Sequence, residues 1–164
     1  MLKFTDTQIT FSEIPDEICL CINISNCPNK CEGCHSPYLR KDIGLPLGNK
    51  DLDFMVEINQ GITCVCFLGG DKSPEDINTL AKHIKSKYPS LLTAWYSGKD
   101  TLSNKIELEN FNFIKIGRYD KFKGALSNPN TNQRLYEIEM TREVIDDKPV
   151  YGLVDITYKF WKKN

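Results

Sequence analysis

The sequence has no long apolar run, no large excess of charge of either sign and no internal repeat. Its apolar stretches are only a few residues long, which excludes a helix that crosses a bilayer. The 164 residues carry a net charge of −1, so the chain offers neither a basic field for nucleic acid nor a polybasic stretch for anionic lipid. The N-terminal MLKFTDTQITFSEIP lacks the apolar core of a signal peptide. These absences predict a cytoplasmic protein without a nucleic-acid or membrane partner.

The number of cysteines is not even. The chain has seven, whereas a secreted disulfide scaffold would carry an even number in a shorter chain. In a reducing compartment, clustered cysteines are more often metal ligands or catalytic groups. The length suits one domain with one core, so the cysteines point to ligand chemistry in a single globular unit.

Apolar segments with a period of two alternate with segments of helical period. The predicted strands are residues 18–24, 62–68, 91–96 and 112–117, and residues 135–140 and 150–161 alternate like edge strands. The predicted helices are residues 50–60, a segment that begins at Ser73 and Pro74, and a weaker segment at 100–110. This alternation predicts βαβ units and a mainly parallel sheet.

Three loops follow predicted strands directly. They are the cysteine-rich segment 25–48, Gly69-Gly70-Asp71 and Ser97-Gly98. In parallel α/β sheets, ligands bind at the carboxyl ends of the strands. We therefore expect these three loops to meet at one edge of the sheet and to form the functional site.

The first of these loops contains CPNKCEGCH, residues 27–35. Structural zinc would need His35 as a fourth ligand beside Cys34, because no second CxxC or HxxxH pair follows. A redox dithiol would use Cys31 and Cys34 alone, at a helix start rather than in a loop rich in proline and glycine. An iron–sulfur cluster would use all three thiolates and leave one iron without a protein ligand, which is the open position that catalysis needs. The cluster explains the most residues, and the other two interpretations stay open.

The spacing C-x-x-x-C-x-x-C resembles the signature of radical S-adenosylmethionine enzymes, which also place it just after the first core strand. Further stretches resemble one branch of that family, the activating proteins of anaerobic ribonucleotide reductase. They are SNCPNKCEGCHSPYLR, FLGGD, WYSGK and NTNQRL, and the resemblance covers roughly residues 12–135. One departure is Ile116-Gly117-Arg118, where many relatives carry an acid before the glycine, so no role is carried over there.

The resemblance implies a fold, cofactors and partners. The fold would be one α/β domain over residues 1–164, a partial (incomplete) β/α barrel of the radical S-adenosylmethionine type, with a core at about 12–135 and a C-terminal extension at 140–164. The cofactors would be a [4Fe-4S] cluster and S-adenosyl-L-methionine. The partners would be the large reductase subunit, whose glycine receives a radical, and an electron donor such as flavodoxin or ferredoxin. The alternatives are an activase for another glycyl-radical enzyme and a non-enzymatic zinc or iron–sulfur binding module.

The resemblance also implies the site residues, with no catalytic side chain beyond the cluster. The metal ligands would be Cys27, Cys31 and Cys34; the cofactor contacts would be Gly33, Cys34 and His35 on the adenine side, Gly69, Gly70 and Asp71 at the methionine amino group, and Ser97. Asp71 has a second possible role at the start of the following helix, because a carboxylate favours the positive end of a helix.

Four other cysteines lie within predicted strands. Cys19 and Cys21 share one face of the first strand, and Cys64 and Cys66 share one face of the second. If these strands are neighbours, four thiols face one another and a second cluster is conceivable. Burial as small core residues is the simpler interpretation, because free cysteine is among the most buried residue types.

Overall fold

The computed structural model describes residues 1–161, which form one eight-stranded sheet of mixed orientation. The strands are β1 Lys3–Thr10, β2 Cys19–Ile24, β3 Leu45–Pro46, β4 Cys64–Leu68, β5 Leu92–Tyr96, β6 Phe113–Ile116, β7 Arg134–Ile145 and β8 Lys148–Asp155. Their order across the sheet is β3-β1-β2-β4-β5-β6-β7-β8. The central strands β2, β4, β5 and β6 are parallel, and the flanking pairs are antiparallel.

The two α-helices, α1 Asn49–Ile58 and α2 Pro74–Lys87, cover one face of the sheet. Each buries a stripe at helical spacing, because residues three and four apart lie on the same side of a helix; the stripe of α2 is Ile77, Leu80, Ala81 and Ile84. The helix begins where the sequence predicts, with Ser73 before it and Pro74 in its first turn. Within residues 1–161, no helix has the length and apolar character that a bilayer crossing requires.

The opposite face of the sheet carries small side chains and is covered by irregular segments. Cys19, Cys21, Cys64, Cys66 and Ala94 form this face, and they pack against the buried residues Ile14, Leu126 and Ile156. Because side chains alternate along a strand, the larger Leu20 and Val65 point to the helical face. The sheet therefore has a thick helical layer on one side and a thin layer of loops on the other.

The expected partial β/α barrel with a mainly parallel sheet is wrong. Three of the seven strand pairings are parallel, and the described residues hold two α-helices, too few to surround a barrel. The predicted helix at 100–110 is absent from this part of the chain, where a single 3-10 helix, Leu108–Asn110, is found. The Ser103 hydroxyl accepts a hydrogen bond from the Lys105 backbone N–H at 3.2 Å, and such local bonds compete with helix formation.

The two ends of the chain add the antiparallel strands. The sequence did not predict β1, whose residues do not alternate in burial. The predicted edge strand 135–140 lies within β7, and the first part of the predicted strand 150–161 lies within β8. The two strands form a hairpin that turns at Asp146 and Asp147. Both turn residues have positive φ, +50° and +59°, as a two-residue hairpin loop of type I′ requires. The last three residues of the predicted extension 140–164 lie outside the described residues.

Candidate functional site

Three loops meet at the edge of the sheet where β2, β4 and β5 end. Asn29 lies in the loop after β2, Asp71 in the loop after β4 and Ser97 in the loop after β5. Asn29 Nδ2 donates a hydrogen bond to Asp71 Oδ2 at 2.6 Å, and Ser97 Oγ donates to Asp71 Oδ1 at 2.5 Å. The structure therefore brings together the three loops that the strand pattern pointed to.

Asp71 is the residue that ties these loops to one another. In addition to the Asn29 and Ser97 bonds, its carboxylate accepts the Gly98 backbone N–H at 2.8 Å. All three donors lie outside α2, so the carboxylate is engaged at the sheet edge rather than at the start of that helix. The approach is close enough to need glycine, because a Cβ on Gly98 would lie 2.5 Å from Asn29 Nδ2.

Gly69 and Gly70 make the turn that delivers Asp71 to this edge. Their φ angles are +100° and +88°, a region that residues with a Cβ rarely adopt. A Cβ on Gly70 would also lie 2.5 Å from Ile77 Cδ1. Trp95 Nε1 donates to the Gly69 carbonyl at 2.7 Å, which leaves one lone pair on that oxygen. The predicted contact of these glycines with a ligand amino group stays a prediction.

The three loop cysteines are free thiols of intermediate burial. The backbone around them is anchored on both sides: the Cys27 N–H donates to the Leu39 carbonyl at 2.9 Å, and Arg40 Nη2 donates to the Cys31 carbonyl at 2.7 Å. Gly33 takes a φ of +72° between the second and third cysteines. The loop thus has a defined shape in which the thiols remain partly accessible.

The three thiols lie within electrostatic range of one another. Burial raises the pKa of the Cys27 thiol, the Asn29 backbone N–H opposes that rise, and the negative charges of Asp71, Cys31 and Cys34 add to it. Negative charge on one member of the group therefore disfavours negative charge on the next. A cationic group that binds all three thiolates would remove this repulsion.

A fourth loop, which follows β6, packs against the cysteine loop. The rings of His35 and Tyr119 meet edge to face with centroids 5.0 Å apart, and Lys121 forms an ion pair with Glu32. A Cβ on Gly33 would lie 3.2 Å from Lys121 Cβ. Gly33 and His35 are thus packed against this loop, and their predicted adenine contact stays a prediction.

A cavity of about 710 Å³ opens beside the cysteine loop. Cys31, Asp71 and Ser97, three of the predicted site residues, are in its wall together with Trp95 and Leu102. The other predicted residues lie outside its lining: Cys27, Gly33, Cys34, His35, Gly69 and Gly70. The volume falls in the range of sites for small molecules and cofactors.

Sequence reasoning missed two residues of this region. Asn29 bridges two loops through its amide, and nothing in its surroundings in the sequence distinguishes it. Lys115 lies on β6 and is only 6 % exposed. A signal for Lys115 was present, because it is a single charged residue inside the apolar strand FIKI, and buried lysines are rare unless something nearby requires the charge.

A structural zinc site would need four ligands around one centre. Across residues 1–161, no three His, Cys, Asp or Glu side chains are grouped closely enough to ligate one metal ion. In a cubane cluster each thiolate would bind a different iron, and the thiols available for that are the three partly accessible ones on the anchored loop. The cluster on Cys27, Cys31 and Cys34 stays a prediction.

None of the family models, curated proteins and solved structures compared with the chain matches it. The resemblance to radical S-adenosylmethionine enzymes therefore remains a prediction from the motifs. A function for the chain has to come from its own residues and their geometry.

Proposed function

We propose that this protein holds a [4Fe-4S] cluster on Cys27, Cys31 and Cys34, cleaves S-adenosyl-L-methionine reductively, and so generates a glycyl radical on anaerobic ribonucleotide reductase. The observation that carries the proposal is a set of three free thiols on one loop, of which Cys31 lies in the wall of a cavity of about 710 Å³. The scaffold is the mixed sheet, whose parallel strands end at this cavity.

Cys27, Cys31 and Cys34 would each hold one iron, and the fourth iron would be open to the substrate. When bound, the cluster would supply the electron for reductive cleavage of S-adenosyl-L-methionine, whose products are methionine and a 5′-deoxyadenosyl radical. That radical takes a hydrogen atom from a glycine Cα of the partner, and 5′-deoxyadenosine leaves. One electron enters for each cleavage, from a donor such as flavodoxin or ferredoxin.

The chain's own residues bind and orient the substrate. Asp71 is held by three hydrogen bonds, and a carboxylate has about four acceptor positions. Its free position is available to the methionine ammonium, as a charge-assisted bond. Trp95 and Leu102 give part of the cavity an apolar wall, which suits the adenosyl group and keeps water from the reacting centre.

We place this reaction in the cytoplasm. All seven cysteines are free thiols, as expected in a reducing compartment. The cluster ligands need that state, because only the thiolate binds iron.

The first test is a metal count on protein prepared or reconstituted without oxygen. We expect about four irons and four sulfides per chain, an electron spin resonance signal that changes when S-adenosyl-L-methionine is added, and 5′-deoxyadenosine after reduction. One zinc per colourless chain would contradict the proposal and favour the binding-module alternative. No metal uptake would contradict both.

A second measurement identifies the partner. The reduced protein and S-adenosyl-L-methionine are mixed with the large subunit of anaerobic ribonucleotide reductase, and separately with other glycyl-radical enzymes. A glycyl radical signal on the reductase supports the narrower assignment. A signal on a different enzyme alone would leave the radical chemistry in place and show that the assigned partner is wrong.

A further inference from the structure

Asn29 belongs to the cysteine loop and contacts the carboxylate of Asp71. In the sequence it stands between Cys27 and Cys31. Its Nδ2 donates a hydrogen bond to Asp71 Oδ2 at 2.6 Å, and both residues line the cavity of about 710 Å³. This bond connects the segment that carries the three thiols to the carboxylate that we assign to substrate binding.

The donors around Asp71 are distributed unequally over its two oxygens. Oδ2 accepts two hydrogen bonds, from the Asn29 amide and from the Gly98 backbone N–H. Oδ1 accepts one, from the Ser97 hydroxyl at 2.5 Å. A carboxylate has about two acceptor positions on each oxygen. The positions on Oδ2 are therefore filled, and the free position of Asp71 lies on Oδ1.

Ser97 places a second free acceptor beside Oδ1. Its hydroxyl donates to Asp71 and accepts the Lys99 backbone N–H at 3.0 Å. A hydroxyl oxygen can accept two hydrogen bonds, so one position is left. Asp71 takes part in none of the ion pairs found in residues 1–161. Oδ1 and the Ser97 oxygen thus form an acceptor pair that suits the N–H groups of an ammonium.

The two donors on Oδ2 are packed against each other. A Cβ on Gly98 would lie 2.5 Å from Asn29 Nδ2, so the amide lies directly against the Gly98 backbone. The last torsion of an aspartate side chain has a broad energy profile, so hydrogen bonds have to set the rotation of its carboxylate. Without the Asn29 donor, Oδ2 has one free position and can compete with Oδ1 for a ligand.

We propose that Asn29 is a positioning residue for substrate binding: by filling Oδ2 it fixes the rotation of the Asp71 carboxylate and directs Oδ1 to the ammonium of the substrate. This inference rests on the proposed function. Asn29 acts through Asp71 rather than on the reacting atoms. The loop that carries the proposed metal ligands also orients the group that receives the substrate.

The test measures the affinity of reconstituted full-length variants for S-adenosyl-L-methionine by titration calorimetry. Asn29→Ala removes the donor and should weaken binding about fivefold, the change expected from one lost hydrogen bond. Asn29→Leu keeps a side chain of similar size without the donor, and we expect the same loss. Asn130→Ala is the control, because Asn130 is exposed and lies outside the lining of the cavity. Its affinity should equal that of the wild type.

A double-mutant cycle shows whether Asn29 acts through Asp71. In the Asp71→Asn background, adding Asn29→Ala should change the affinity less than about twofold, because the carboxylate that Asn29 orients has been removed. The iron content should equal that of the wild type in every variant. Loss of affinity by the same factor in both backgrounds would show that Asn29 acts independently of Asp71 and overturn the positioning role.

The remaining outcomes separate this inference from the proposed function. If the wild type takes up no cluster or binds no S-adenosyl-L-methionine, the proposed function is wrong and this inference with it. If the wild type binds both, and Asn29→Ala and Asn29→Leu bind the substrate as tightly, only the positioning role is wrong. Loss of iron in both variants would assign Asn29 to the shape of the cysteine loop and also overturn the role.

Discussion

The seven cysteines form two groups that differ in their exposure to solvent. The loop group, Cys27, Cys31 and Cys34, is partly accessible at the edge of the sheet, beside the cavity. The sheet group, Cys19, Cys21, Cys64 and Cys66, is 0 % exposed. Neighbouring strands align the sheet group in register, Cys19 with Cys64 and Cys21 with Cys66. The loop group can reach a ligand, whereas the sheet group is sealed between the strands and the loops that cover them.

The sheet thiols hydrogen-bond to one another. Burial is the main cause that raises the pKa of the Cys66 thiol, hydrogen bonds with Cys21 and Cys64 raise that of Cys19, and hydrogen bonds with Cys19 and Cys66 lower the pKa of Cys21 to about 4. At 0 % exposure these thiols are closed to a ligand from solution, whatever their charge. Neither group forms a set within residues 1–161 that is close enough to hold one metal ion. The comparison shows that location in the fold, rather than clustering of cysteines, decides which thiols are accessible to a ligand.

The largest expected difference between the two groups appears when one thiol is removed from each. Cys31→Ala should lose the cluster and all S-adenosyl-L-methionine cleavage, because it removes a ligand. Cys66→Ala should keep both and lose about 1–2 kcal/mol in the free energy of unfolding, as expected for a small cavity in a core. Iron content, 5′-deoxyadenosine yield and urea unfolding measure these effects. Equal loss of iron in the two variants would mean that the groups are not functionally distinct.

The next largest effect is expected at Asp71. Its substitution distinguishes a carboxylate that binds a ligand from one that only holds the loops together. Asp71→Asn should weaken S-adenosyl-L-methionine binding about tenfold or more, since it removes a charged acceptor worth about 1.5–3 kcal/mol. Asp76→Asn is the control, because that carboxylate pairs with the amino terminus at 3.2 Å. Titration calorimetry with reconstituted protein gives the affinities. An unchanged affinity for Asp71→Asn would assign its carboxylate to loop tethering alone.

The smallest expected effect concerns the buried charge of Lys115, which donates to the Ser97 carbonyl at the edge of the sheet. Burial lowers the pKa of Lys115 from 10.5 to about 8. Between these values the unfolded chain binds one proton more than the native chain, so the stability of the metal-free protein should rise with pH in this window. The slope is at most about 1.4 kcal/mol per pH unit. Lys115→Met should remove it, as measured by urea unfolding at several pH values between 8 and 10.5. Parallel curves for the two proteins would contradict the shift.

Much of the central sheet could be predicted from local pattern. The strands β2, β4, β5 and β6 each combine an apolar run with a following glycine or loop, and such runs have few alternatives to a buried strand. The start of α2 was predicted correctly from Ser73 and Pro74, because proline fits the first turn of a helix. The meeting of the loops at Asp71 followed from strand direction alone.

The flanks of the sheet could not be predicted in the same way. The weak helical spacing at 100–110 did not produce an α-helix, because local side-chain hydrogen bonds such as that of Ser103 compete with helix formation. The strand β1 has mostly polar residues, none of them fully buried, and exists because it pairs with β2. The partial barrel that the resemblance implied would need a further helix after β5 and parallel neighbours at both sides of the sheet. The structure has neither within residues 1–161.

The sequence by itself determined the three-cysteine loop, the glycine turns and the strands that present them, because spacing, positive φ and period are local properties of a chain. Tertiary structure alone decided which cysteines are sealed and which are accessible, which groups bond to Asp71, and that the charge of Lys115 is buried beside the Ser97 carbonyl. Those properties depend on which strands become neighbours, and burial and electrostatics are set by neighbours in space.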